Sequence, residues 1–246
     1  MEDKIKQFQE MINESKNIVF FGGAGVSTAS GIPDFRSENG LYNKDQGYNY
    51  PPEVMLSHTF YRNHTLEFFN FYRDKMCALG YKPNITHIKL AELERAGKLK
   101  AVITQNIDGL HQLAGSKKVI ELHGTIHKNY CTCCRKAFTA QYIKESVGVP
   151  HCDQCIDDDA IIKPFVTLYE ESLPKGAMES AINYIADADM LIVAGTSLNV
   201  YPAASLLDYF TGKYVVLINK GAVEKDTYAN LVLNTDMTQV FDKITC

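Results

Sequence analysis

Short apolar runs separated by helix-like stretches set the rhythm of this chain. Ile18–Phe21, Ala101–Ile103, Val119–Leu122, Ile161–Val166, Met190–Ala194 and Val215–Ile218 read as buried strands. Several are apolar without a break, as parallel strands covered on both faces require. Lys4–Glu14, Thr86–Ala96, Lys175–Ala186, Ala203–Phe210 and Met237–Ile244 read as helices, and Gly97 gives the second its stop signal. The alternation predicts an α/β fold with a doubly wound parallel sheet.

Two stretches break that rhythm. Residues 37–80 hold no strand-like run but contain Pro51-Pro52 and an aromatic, helix-compatible segment, Phe60–Met76. This predicts a helical insertion. Residues 128–160 are dominated by cysteines and predict a small metal module. Segments 1–36, 81–127 and 161–246 are expected to build the sheet domain. The insertion 37–80 and the module 128–160 are expected to form a smaller one, with the working cleft between the two.

Composition narrows the class only a little. The 246 residues are 46 % hydrophobic and 22 % charged with net charge −4, which gives no electrostatic case for nucleic acid. No apolar run approaches the roughly 18 residues that span a bilayer, so no membrane partner is expected. Met1-Glu2-Asp3-Lys4 lacks a signal-peptide pattern and reads as the start of a helix. Seven cysteines in such a chain argue for metal rather than disulfides and for a reducing, cytoplasmic setting.

Cys131 and Cys134 form one C-x-x-C pair, Cys152 and Cys155 another, and 17 residues separate them. That falls within zinc spacing. Four thiolates leave no open coordination position, so the zinc would be structural, one ion per chain. Unrelated buried thiols or a redox pair are the competing readings. His127 and His151 flank the module as further candidate ligands.

The chemistry gathers at strand ends. After the first run come Gly22-Gly23-Ala24-Gly25-Val26-Ser27, then Ser30-Gly31-Ile32-Pro33-Asp34-Phe35-Arg36. Glycines there let backbone N–H groups approach a pyrophosphate. The third glycine position of G-x-G-x-x-G falls on Thr28, and no acidic residue ends a second strand about 20 residues on, so hydride transfer does not follow. Thr104-Gln105-Asn106-Ile107-Asp108 follows the second run, either as functional groups or as a polar loop with Asp108 capping a helix. His123 ends the third run and can take a proton near neutral pH. Gly195-Thr196-Ser197 and Asn219 follow two later runs. Singly, each is an ordinary turn; together they read as one nucleotide groove.

With these motifs in view, the chain resembles the sirtuin (Sir2) family of NAD-dependent protein deacylases along nearly its whole length. The matching stretches, in order, are Gly23–Ser27, Gly31–Arg36, Thr104–Asp108, Leu122-His123-Gly124, both cysteine pairs, Gly195–Leu198, Val200–Ala203 and Ile218-Asn219. The resemblance implies a Rossmann-like sheet and a protein-lysine deacetylase acting on acetyl-lysine in proteins or peptides. It implies that NAD lies with its pyrophosphate on Ala24–Ser27, near Thr28, Asp34, Arg36 and Gln105. The adenosine end would pass Gly195, Thr196, Ser197, Asn219, Lys220, Asp236 and Met237. Asp108, with Ile107, would hold the nicotinamide amide, Asn106 a ribose hydroxyl and a water, and Phe35 would shield the reacting carbon. The acyl oxygen would attack as nicotinamide leaves, with His123 as general base on the ribose hydroxyls. O-acyl-ADP-ribose and free lysine would be the products. An ADP-ribosyltransferase and a non-catalytic nucleotide-binding scaffold are the alternatives; His123 with Asn106 and Asp108 favours deacylation.

The chain departs from the family pattern at Tyr169-Glu170-Glu171, where an aromatic-Gly-Glu run is usual. The resemblance implies that the substrate peptide lies between this segment and Val200-Tyr201, with Thr167, Phe35 and Ile107 near the acyl group. Family members that remove succinyl or malonyl groups carry a Tyr and an Arg three residues apart in the helical insertion. Alignment puts Phe69 and Tyr72 at those positions, with Arg73 one residue too late. Acetyl is therefore expected over succinyl.

Overall fold

Among the described residues, six of the nine strands form one parallel sheet. They are β1 (Ile18–Gly22), β2 (Leu99–Thr104), β3 (Val119–Glu121), β7 (Met190–Ala194), β8 (Tyr214–Asn219) and β9 (Leu231–Asn234). Their order is β3-β2-β1-β7-β8-β9, and every pairing is parallel. The computed structural model describes residues 1–38, 40–43, 47–156, 160–221 and 229–246.

The unbroken apolar runs follow from burial on both faces. Along β1, Ile18 and Phe20 join one core with Phe8, Leu90 and Phe241, which come from helices Glu2–Glu14, Ile85–Arg95 and Met237–Phe241. Val19 and Phe21 point the other way, into a core with Ala181 and Ile185 of helix Ala177–Ala186. The two-residue period of a strand makes this division unavoidable, so neither face of β1 tolerates a polar residue.

The strand order reverses between β1 and β7. At such a switch point the connections leave in opposite directions and open a crevice beyond the C-terminal strand ends. Gly22 and Ala194 are paired there, so the loops starting at Gly23 and Gly195 begin side by side.

A second core lies beside the sheet. It gathers Phe60, Phe68, Phe69 and Phe71 from helices His58–Asn63 and Thr65–Phe71 with Ile126, Ile143, Cys131 and Cys152. A small sheet of β4 (Gly124–Cys131), β5 (Ala137–Phe138) and β6 (Ile162–Val166) backs it, in the order β5-β4-β6.

Four points differ from the expectations. The run at 161–166 is a strand, but it pairs antiparallel with β4 and packs into the second core, outside the parallel sheet. An apolar run records burial and is blind to which sheet provides it. β9 takes the sixth parallel place, an edge strand of Leu231-Val232-Leu233-Asn234 with alternating burial that is not among the strands expected from sequence. The segment 60–76 is broken. Helix His58–Asn63 ends at His64, Thr65–Phe71 follows, and Tyr72–Met76 winds as a π-helix. Segment 203–209 is a 3₁₀-helix rather than an α-helix.

Candidate active site

A cleft of about 550 Å³ opens at the switch point, within the roughly 300–1,000 Å³ usual for ligand pockets. Ala24, Gly25, Ser27, Thr28, Asp34, Phe35, Arg36, Gln105, Asn106, Ile107, Asp108 and His123 line it. Thr167, Tyr169, Gly195, Thr196, Ser197, Val200, Asn219, Lys220, Asp236 and Met237 complete the group. Of the residues expected around NAD and peptide, Gly23 and the buried Val26 are not in the lining. Gly23 lies beneath, and a Cβ there would stand 2.7 Å from the Gly195 carbonyl oxygen and 2.9 Å from Gln105 Oε1.

Two glycine turns interlock. Gly23 N–H donates to Ala194 O at 3.1 Å and Gly25 N–H to Gly195 O at 2.9 Å. Gly195 has φ +62°, and a Cβ on it would meet Val26 N at 2.5 Å. A left-handed backbone and a backbone neighbour at that range leave room for no other residue. Gly195→Ala is expected to cost about 2 kcal/mol or more of stability and to weaken nucleotide binding. Urea unfolding checks it, and wild-type stability would mean that the turns are not in contact.

Ser27 Oγ donates to Asp108 Oδ2 at 2.7 Å, and Asn106 Nδ2 donates to Ser27 Oγ at 3.0 Å. Asp108 Oδ1 accepts Leu110 N–H at 2.9 Å, but the N-cap of helix Leu110–Leu113 is Gly109, so Asp108 sits one residue before the cap position expected for it. The two oxygens of this carboxylate thus face different partners. Thr196 Oγ donates to Gln105 Oε1 at 3.2 Å, and Asn219 Nδ2 donates to Thr196 O at 3.1 Å. The ends of β1, β2, β7 and β8 are thus one connected polar floor. Gln105 Nε2 remains a buried donor without a partner among the described residues.

His123 follows β3, and its Nδ1 lies 3.1 Å from Gln105 O. A carbonyl only accepts, so Nδ1 carries the proton and Nε2 keeps a lone pair. Burial pulls this imidazole below the ordinary histidine pKa, partly offset by the bond to the carbonyl. It is therefore neutral and basic at physiological pH. Thr167 N–H donates to His123 O at 2.9 Å, which carries β6 and the Tyr169 segment alongside the histidine.

Several supporting residues escaped sequence reasoning. Asn84 Nδ2 donates to Val26 O at 2.8 Å and to Ser30 Oγ at 3.0 Å, holding the glycine turn from behind. Its signal was a capping box with His87 at the start of helix Ile85–Arg95. His127, read as a flanking metal candidate, instead has Nε2 2.9 Å from Asp108 O. Lys75 lines the cleft with its Nζ 3.1 Å from Asp74 Oδ2.

The sulfurs of Cys131, Cys134, Cys152 and Cys155 all lie within 4.8 Å of one another. Cys131 Sγ is 3.8 Å from Cys155 Sγ, and Cys134 Sγ is 3.7 Å from Cys152 Sγ. A tetrahedron with Zn–S bonds of about 2.3 Å has edges of about 3.8 Å, so the site has zinc dimensions. Backbone N–H groups of Cys133 and Cys134 point at Cys131 Sγ, at 3.3 and 3.4 Å, as they would to a thiolate. The four sulfurs fill the coordination shell, which makes the site structural.

A nucleotide crevice at the switch point of a doubly wound sheet, a basic histidine across it and a closed cysteine tetrad define the class. The Sir2 family model matches residues 23–202, and the chain belongs to that family. It is 55% identical to a Clostridium acetobutylicum protein named NAD-dependent protein deacetylase, over 98% of each chain. A protein of the same name from Clostridium perfringens is 53% identical over 99% of each. Among solved structures, Sir2 with deacetylated p53 peptide and 3′-O-acetyl-ADP-ribose is similar at TM-score 0.88 and 41% identity, covering 97% of this chain and 96% of that one. Sir2 with p53 peptide and NAD+ is similar at TM-score 0.84 and 40% identity, with the same coverage.

Proposed function

We propose that this chain is an NAD-dependent protein-lysine deacetylase that takes the acetyl group from acetyl-lysine in proteins or peptides. The observation that carries the reading is His123, its Nδ1 proton tied to Gln105 O and its Nε2 free, on the same cleft as the Ser27–Asn106–Asp108 network. The names of the relatives support it.

Bound NAD supplies a ribose whose bond to nicotinamide breaks and whose hydroxyls take up the acetyl group. Gly25 and Gly195 let backbone amides approach the pyrophosphate, and Thr196, Ser197, Asn219, Lys220, Asp236 and Met237 line the adenosine end. Each Asp108 oxygen accepts one bond and retains a lone pair for the nicotinamide amide. Asn106 spends Nδ2 on Ser27 and keeps Oδ1 as an acceptor for a ribose hydroxyl or water. Phe35, packed 5.4 Å from the Tyr42 ring, keeps water from the reacting carbon. His123 Nε2 removes the hydroxyl proton that lets the acetyl group move to the sugar. An ADP-ribosyltransferase needs no such base, and a scaffold needs no such buried lone pair. Mass spectrometry of the products from acetyl-lysine peptide and NAD tests the reading: O-acetyl-ADP-ribose supports it. ADP-ribosylated protein or no nicotinamide release would overturn it.

The compartment we propose is the reducing cytoplasm, where four thiols stay available to a metal. Among the described residues no helix is long and apolar enough to cross a membrane.

Acetyl is expected to be turned over faster than succinyl on the same peptide. Arg73 is committed elsewhere: it donates to Ser146 Oγ at 3.2 Å and Asn70 Oδ1 at 3.0 Å and is not in the cleft lining. Phe69 and Tyr72 are fully buried and bring no cation. An acyl carboxylate there would be desolvated without a partner, a cost of several kcal/mol. Equal succinyl turnover would show that Lys75 leaves Asp74 and reaches the acyl chain.

A further inference from the structure

Glu170 holds a backbone conformation that glutamate ordinarily avoids, and it holds it on the wall of the cleft. Its φ is +74°, one of three positive values among the described non-glycine residues. Its carboxylate is also fully engaged on one side. Oε2 accepts Thr59 N–H at 2.8 Å and Thr59 Oγ–H at 2.7 Å. Those bonds pull its pKa below the usual glutamate range, so it is ionised at neutral pH.

The neighbouring residues are pinned as well. Tyr169 N–H donates to Leu56 O at 2.9 Å, and His58 N–H donates to Tyr169 O at 3.0 Å. Glu171 takes His58 Nδ1 at 2.9 Å, Lys163 Nζ at 3.1 Å and Leu168 N–H at 3.0 Å. Besides the Glu171 C=O, the Glu170 backbone N–H and C=O have no partner among the described residues. The backbone torsions of this residue set where those two groups point. Tyr169, Glu170 and Glu171 form one wall of the cleft, and Val200, Tyr201 and Pro202 also line it. An extended peptide docks onto unpaired backbone groups of this kind.

We propose that the Glu170–Thr59 clamp is a positioning device for the peptide substrate: it keeps residue 170 left-handed so that its free backbone N–H and C=O are aimed at the incoming chain. This rests on the deacetylase reading for the identity of the peptide. The clamp offsets the cost of a side chain in the left-handed region. Three variants separate this from a role for charge. Glu170→Gln keeps an acceptor oxygen for Thr59 and removes the charge. Glu170→Gly removes clamp and charge but tolerates φ +74°. Glu170→Ala loses the clamp and keeps the steric penalty.

Peptide affinity is measured by fluorescence anisotropy with a labelled acetyl-lysine peptide, and steady-state kinetics are run alongside. Glu170→Ala is expected to raise Kd and KM for peptide about tenfold, from the lost population of the left-handed conformer, with kcat and KM for NAD unchanged. Glu170→Gln and Glu170→Gly are expected to bind nearly as tightly as wild type. Thr59→Val, combined with Glu170→Ala, should add little. Equal weakening in all three Glu170 variants would assign the effect to charge and overturn the proposal, as would unchanged affinity in Glu170→Ala. The binding order decides the clamp, whereas absence of turnover in a wild type that binds peptide counts against the activity reading alone.

Discussion

His123→Ala is expected to remove roughly 10²–10⁴-fold of deacetylase turnover, the usual contribution of a general base. NAD affinity should be nearly unchanged, because among the described residues the ring bonds only to Gln105 O, and the polar floor from Ser27 to Asn219 stands without it. The pH profile carries the same signature. Burial favours the neutral imidazole, so the acidic limb of kcat/KM should lie below the ordinary histidine value of about 6.5. Activity should fall as pH drops through that lowered pKa, because protonation consumes the Nε2 lone pair. Steady-state kinetics and an NAD binding isotherm on the variant check both parts. Retention of more than about a few per cent of turnover would take the base role from His123.

Zinc removal is the second large effect. One zinc per chain is expected, held by Cys131, Cys134, Cys152 and Cys155, whose sulfurs already have tetrahedral spacing. Cys131 and Cys152 are also members of the second hydrophobic core, so the metal and the apolar packing support the same unit. Structural zinc carries about 10–16 kcal/mol of binding energy in small zinc domains, far more than a core of this size can lose. Chelation, or Cys152→Ser, should therefore loosen the segment around β4–β6 first. Activity should follow, because Thr167 and Tyr169 reach the cleft through β6 and because Gly124, whose Cβ would stand 2.1 Å from Phe165 O, joins β4 to His123. Metal analysis, hydrogen exchange and turnover on the chelated protein test the order of events. A metal-free protein that stays folded and active would refute the structural role.

The chain announces its chemistry more clearly than its geometry. The unbroken apolar runs at 18–21, 190–194 and 215–218 are buried parallel strands, in keeping with sheets covered on both faces. The residues just beyond them had to lie together, since parallel strands bring all their C-terminal ends to one edge. Cysteine spacing, likewise, is a local property that survives in the sequence. Other facts depend on contacts between distant segments. The run at 161–166 is interrupted by Lys163 and Pro164, and its partner is β4, 30 or more residues earlier, so its place in the second sheet depends on a distant segment. Asp108 can be read from sequence as a cap or a functional group, and the structure bonds its two oxygens to Ser27 Oγ and to Leu110 N–H. Arg73 was counted out of the acyl site by helical phase, and Ser146 and Asn70 are what hold it elsewhere. Glu170 stands in sequence as a departure from the family pattern, and only the structure shows its carboxylate bonded to Thr59. By itself, then, the sequence determined which side chains the protein brings to its cleft and which metal its cysteines suit. The tertiary structure decided which tautomer His123 holds and which way each of these groups is committed, because those choices are made by hydrogen bonds between residues that no local pattern connects.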